Sequence, residues 1–157
     1  MIASHARIGL SNSLYKNSME LNYLAIGVAT VLQFVAGWVW YMPIFGKAWG
    51  AMHGYDQLSP EAQEKAQKEM GPQLGLQFLG TLVMTAVLAL LVGGLPAEWN
   101  TYGLAGFAWL GFVVPTQMSA VMFGGTPKQY MLKKTAIMAS GSLVNLMIAA
   151  LVFGLMK

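Results

Sequence analysis

The sequence has no cysteine, which removes disulfides, thiol nucleophiles and thiolate metal sites from consideration. Charge is scarce as well. Only 10% of its 157 residues are Asp, Glu, Lys or Arg, against about 25% in ordinary soluble domains. Histidine occurs only as His5 and His53, far apart and without an acid cluster, so no metal site is expected. A net charge of +3, thinly scattered, leaves no nucleic-acid footprint. The sequence points to no cofactor.

The missing charge is concentrated in four places. Residues 21–46, 70–97, 99–127 and 135–156 are free of Asp, Glu, Lys, Arg and His, with Glu98 alone between the second and third runs, giving stretches of 26, 28, 29 and 22 residues. A bilayer core of about 30 Å is crossed by roughly 20 helical residues at ~1.5 Å each. Each run is long enough, and none shows the polar face that a soluble helix of that length would carry. A β-barrel would instead show alternation in segments of about 10 residues. The fold class is therefore an all-α membrane protein, an antiparallel bundle of four transmembrane helices. Spans are expected near 21–42, 73–95, 103–123 and 133–156. The serine-rich, acid-free residues 1–19 read as a flexible extension, and 20–157 as the membrane domain.

The exit of the first span is unusually marked. In "GWVWYMPIFGKAW", Trp38, Trp40 and Tyr41 suit the headgroup layer, where an amphipathic ring keeps its polar edge wet. Pro43 disfavours helix at Met42 and removes a donor. Phe45 follows, Gly46 suits the turn, and Lys47 and Trp49 complete an interface motif. In the loop beyond, "SPEAQEKAQKEM" predicts a short polar helix near 60–70. Ser59 suits its N-cap, Pro60 its first position, and Gly71-Pro72 its stop. Glu61–Lys65 and Glu64–Lys68 are i,i+4 pairs in the favourable order.

Basic residues orient the bundle. Lys47, Lys65, Lys68, Lys128, Lys133 and Lys134 flank the 47–72 and 124–134 loops, against Arg7, Lys16 and Lys157 on the other side. Six against three places those two loops in the cytoplasm and both termini outside a cytoplasmic (inner) membrane. A two-hairpin repeat is also suggested: "NYLA" opens the first span and "NTYGLA" the third, with Phe45 and Phe123 78 residues apart.

Apart from Lys133 and Lys134 at the mouth of the fourth, no Asp, Glu, Lys, Arg or His lies within a span, so a proton relay or ion-coupled carrier lacks its usual groups. Catalysis lacks a base for Ser140 or Ser142, and no enzyme is expected. What remains is neutral polarity. Gln33 shares a face with Ala25, Ala29 and Gly37; Gln77, Thr81 and Thr85 recur four apart. Pro115, Thr116 and Gln117 cluster with Ala108, Gly111 and Ser119 in the third span, and Ser142 and Asn145 in the fourth. Such residues first suggest helix packing, with interhelical bonds contributing about 0.6–2 kcal/mol each. The sharper reading is a polar path lined by Gln33, Gln117 and Asn145, opened by a break at Pro115.

At "WYMPIFGKAW", and later at "WLGFVVPTQM", the chain resembles the bacterial membrane proteins grouped as domain-of-unknown-function family 1761, over about residues 19–156. The resemblance implies a small four-span protein of the cytoplasmic membrane and brings no activity or catalytic residue with it. The expected function is non-enzymatic helix–helix assembly in membrane lipid, as a homo-oligomer or an accessory subunit of a larger membrane complex. The alternative is a small channel or carrier for a neutral or weakly polar solute. Four short spans enclose little interior, yet each has a small-residue face.

Overall fold

The computed structural model describes residues 21–96 and 98–156; the extension expected over 1–19 lies outside them. All regular structure among the described residues is helical. Four rods, Tyr23–Ile44, Pro60–Gly94, Thr101–Phe123 and Lys128–Leu155, are long and apolar enough to cross a membrane. The shortest has 22 residues, or about 33 Å at the α-helical rise.

The first rod is α1 (Tyr23–Val39) continued by a π-helical turn, Trp40–Ile44. Its cap, Asn22, accepts from Ala25 N at 2.9 Å and donates its amide to Met156 O at 2.7 Å. One side chain thus starts the first rod and ties it to the end of the last. Pro43 sits inside the π turn, where Phe45 N reaches back five residues to Trp40 O at 3.0 Å. The reversal then falls on Phe45 (φ −111°, ψ 7°) and not on Gly46, which opens the short helix α2 (Gly46–Met52). That φ is open to any L-residue, so the turn has no need of glycine. Gly54, at φ 69°, does take the left-handed conformation that favours one.

α3 (Pro60–Gly94) begins as expected, with Ser59 Oγ accepting from Ala62 N at 3.3 Å and Pro60 in the first turn. The expected stop at Gly71-Pro72 does not occur. The polar segment and the second span form one helix of 35 residues. A proline obstructs helix partly through the Cβ of the residue before it, and Gly71 has none. Glu64 and Lys68 pair at 2.7 Å, but Lys65 lies 4.0 Å from Glu69 in place of Glu61. Both pairs are well exposed and contribute little to stability.

The third rod consists of α4 (Thr101–Ala108), a second π turn (Trp109–Val113) and α5 (Val114–Phe123). A Gly124-Gly125 reversal, with Gly125 at φ 74°, leads to α6 (Lys128–Leu155). The halves of the chain share local devices: Asn22 and Asn100 both cap, and both odd-numbered rods contain a π turn that begins on tryptophan. They do not share neighbours. α6 packs along the first rod and along both parts of the third, whereas α3 packs chiefly on α1.

Small residues make these approaches close. Ala25, Ala29, Ala105, Ala149 and Ala150 are all but inaccessible, and Leu88 and Leu146 fill between them. Without a side chain beyond Cβ, the backbones come near enough for dispersion to act along the whole contact. This core lies in the half of the bundle nearest Asn22 and Met156. The other half is held differently, by aromatic side chains.

Candidate functional site

Side-chain donors from the first and third rods converge on the backbone of α6 and its C-terminal cap. Asn22 Nδ2 donates to Met156 O, Gln33 Nε2 to Asn145 O at 2.8 Å, Trp40 Nε1 to Ile137 O at 3.1 Å, and Trp109 Nε1 to Ala139 O at 2.7 Å. A helical carbonyl already holds one N–H but has a second lone pair. In lipid a polar donor has no water to turn to, so it seeks that lone pair. The fourth span is the spine on which the first and third rods dock, while α3 docks chiefly on α1.

The deepest polar contact joins three rods. Gln33 is wholly buried. While its amide nitrogen donates to α6, its Oε1 accepts from Thr85 Oγ1 on α3 at 2.5 Å. Thr85 has one hydroxyl proton and lies 2.7 Å from Thr81 O as well, so the proton is shared. Thr81 is buried and donates to Gln77 O at 2.9 Å, while Gln77 itself is exposed. Asn145 is half-buried, with its amide nitrogen 4.0 Å from the Cβ position of Gly37. No part of Gln33 is left accessible between the rods.

The expected members from the third span stand apart from that cluster. Gln117 Oε1 is 3.5 Å from Ser142 Oγ, a long contact, since Ser142 gives its proton to Ala139 O at 2.8 Å. Pro115 and Thr116 are exposed, and Thr116 Oγ1 donates to Phe112 O at 2.6 Å. Gly111 and Ser119 are exposed too.

At the other end the interface motif is docked on α6. Lys134, Ile137 and Gly141 lie on one face, at i, i+3 and i+7. Trp40 bonds Ile137 O and lays its ring over Gly141, where an added Cβ would come within 2.9 Å of Cδ1 and Nε1 and 3.3 Å of the Tyr41 hydroxyl. Phe45 packs on Trp40 with ring centroids 5.0 Å apart. Trp49 meets Tyr41 edge-on at 4.8 Å and His53 at 4.5 Å, and the Lys134 ammonium sits 5.7 Å above its ring. Trp38, Pro43 and Lys47 are exposed, and Gly46 is half-buried. Trp38 keeps the outward position expected of a belt residue. Trp40 and Tyr41 instead turn inward, because Gly141 offers a flat seat and Ile137 an acceptor.

A family described as protein of unknown function (DUF1761) matches over residues 24–155. The chain belongs to the DUF1761 family. No curated protein and no solved structure matches it. In this DUF1761 chain the tryptophan motif packs one helix against another through its indole N–H and ring face.

Sequence reasoning overlooked Trp109 and Gly141. A tryptophan well inside a span, in "FAWLGF", is itself a signal, because a buried indole N–H requires an acceptor. Gly141 in "ASGSL" gives no comparable hint until its neighbour is known.

Proposed function

We propose that this DUF1761 chain is a non-enzymatic membrane protein that acts through helix–helix assembly, with itself or as an accessory subunit of a membrane complex. One observation carries the reading. Gly111, Pro115 and Ser119, four residues apart along the third rod, are all exposed, and nothing lies within 4 Å of a Cβ built on Gly111. Small residues of every rod, among them Ala25, Ala29, Thr85, Ala105 and Ala149, are used inside the bundle. The Gly111–Pro115–Ser119 face of the third rod is left over, and that rod's apolar window is only 11% buried. Lipid-facing helix is ordinarily covered by large apolar side chains; small residues let another helix approach. The membrane is the cytoplasmic one, with the 47–72 and 124–134 loops on the cytoplasmic side and both termini outside, as the lysine distribution favours.

The space around Gly111 makes the test clean. Gly111→Leu fits the single chain without strain but props a second helix away. With Ser119→Cys as the sole thiol, oxidation in native membranes yields a disulfide-linked pair of chains, or a mixed disulfide if the partner carries a cysteine. Adding Gly111→Leu cuts the linked fraction about tenfold, equivalent to ~1.4 kcal/mol of lost packing. A Ser119→Cys chain that stays unlinked, and that sediments as one copy, contradicts the proposal.

A further inference from the structure

We propose that the Trp49–Lys134 pair is the centre of a binding site for the phosphate headgroup of an anionic phospholipid. Lys134 is half-buried at the loop end of α6, its ammonium 5.7 Å from the Trp49 ring centre. The ring face satisfies the charge from one direction only. An ammonium has three N–H donors, and no carboxylate among the described residues lies within 4.0 Å of it.

The loop end as a whole is cationic, with Lys47, Lys65, Lys68, Lys128, Lys133 and Lys134 against Asp56, Glu61, Glu64 and Glu69. The two ion pairs of this end, Glu64–Lys68 and Lys65–Glu69, both lie along α3. Lys47, two residues before Trp49, and Lys133, next to Lys134, are exposed and also lack a carboxylate partner among the described residues. His53 packs on Trp49 with ring centroids 4.5 Å apart. Its Nδ1 lies 2.8 Å from Trp49 O; a carbonyl only accepts, so Nδ1 carries the proton and donates.

Geometry decides the source of the phosphate. The π turn at Trp40–Ile44 and the reversal at Phe45 bring α2 back beside α6 just where the uncharged run 21–46 ends and the run 135–156 begins. That is the depth of the lipid phosphates. An anionic headgroup there meets Lys134 and its neighbouring cations, with Trp49 as the wall beneath.

The test uses the full chain in micelles containing equal amounts of phosphatidylglycerol and phosphatidylcholine, with retained lipids counted by native mass spectrometry. The wild-type chain retains phosphatidylglycerol over phosphatidylcholine by about fivefold or more, the scale of one well-placed lysine at an anionic surface. Lys134→Gln abolishes that preference, Lys134→Arg keeps it, and Lys65→Gln, the same charge change on α3, leaves it intact. Unchanged helix content by circular dichroism in each variant separates lost binding from lost fold. Equal retention of the two lipids by the wild type, or an equal loss from Lys65→Gln and Lys134→Gln, overturns the site. Displacement of the lipid by millimolar inorganic phosphate overturns its assignment to lipid.

Discussion

Gln33→Glu destabilises the protein by about 3 kcal/mol at pH 8, the cost assigned to a carboxylate near the centre of a transmembrane helix. The substitution keeps the shape and changes only the chemistry. The introduced carboxylate presents an acceptor to Asn145 O, where Gln33 presents a donor at 2.8 Å, and two acceptors that face each other repel. The site is wholly buried, so the ionised form also loses its hydration without gaining a cation. Protonation removes the charge and restores a donor toward Asn145 O. The folded state therefore holds the proton more firmly than the unfolded chain does, and the sign follows from linkage: the penalty grows as pH rises and fades as pH falls. Gln33→Leu is far milder, because Thr85 keeps Thr81 O as its acceptor at 2.7 Å and Asn145 O keeps its helical partner. Thermal unfolding of the three proteins in one detergent, at pH 8 and pH 5, measures this order. A glutamate variant as stable as the parent at both values would place water beside residue 33.

The second large effect is at Gly141. An alanine there puts Cβ 2.9 Å from Trp40 Cδ1 and Nε1, a separation that forces the indole to move. The indole is a rigid plate wedged between α6 and Phe45, so its movement breaks the bond to Ile137 O. Overpacking of this kind costs about 1–3 kcal/mol, and the lost bond adds roughly 0.6–1.7 kcal/mol. The pairing is specific, so Trp40→Phe in the same chain removes most of the additional penalty. A double-mutant cycle on unfolding in detergent then shows a coupling of about 1–2 kcal/mol between positions 40 and 141. Additive effects would mean that the ring does not rest on Gly141.

The spans were legible because lipid imposes a simple demand. A run such as 135–156, without a single charge, has one stable use in a chain of this composition. The capping of α3 by Ser59 and of the first rod by Asn22 is likewise local, requiring only residues within one turn. What could not be read lies between elements distant in sequence. That Trp40 turns inward depends on Gly141 and Ile137, which are about a hundred residues away. The passage of α3 through Pro72 depends on whether Gly71 relieves the local clash, and proline alone argues the other way. The polar residues of the spans were visible as a set. Their division into an inner group around Gln33 and Thr85 and an outer one along Pro115 and Thr116 follows from the rotation of each rod, which composition does not specify.

Polar side chains between the spans hold dry helices together, the first and third rods on α6 and α3 on α1. The absence of cysteine makes this directly measurable. With Thr85→Cys as the sole thiol, in proteoliposomes, a charged membrane-impermeant methanethiosulfonate reagent is added to either side. The account predicts no modification at position 85, beside rapid modification of Lys47→Cys from one side. Reaction at position 85 in the folded protein, at a rate approaching that at position 47, would contradict it.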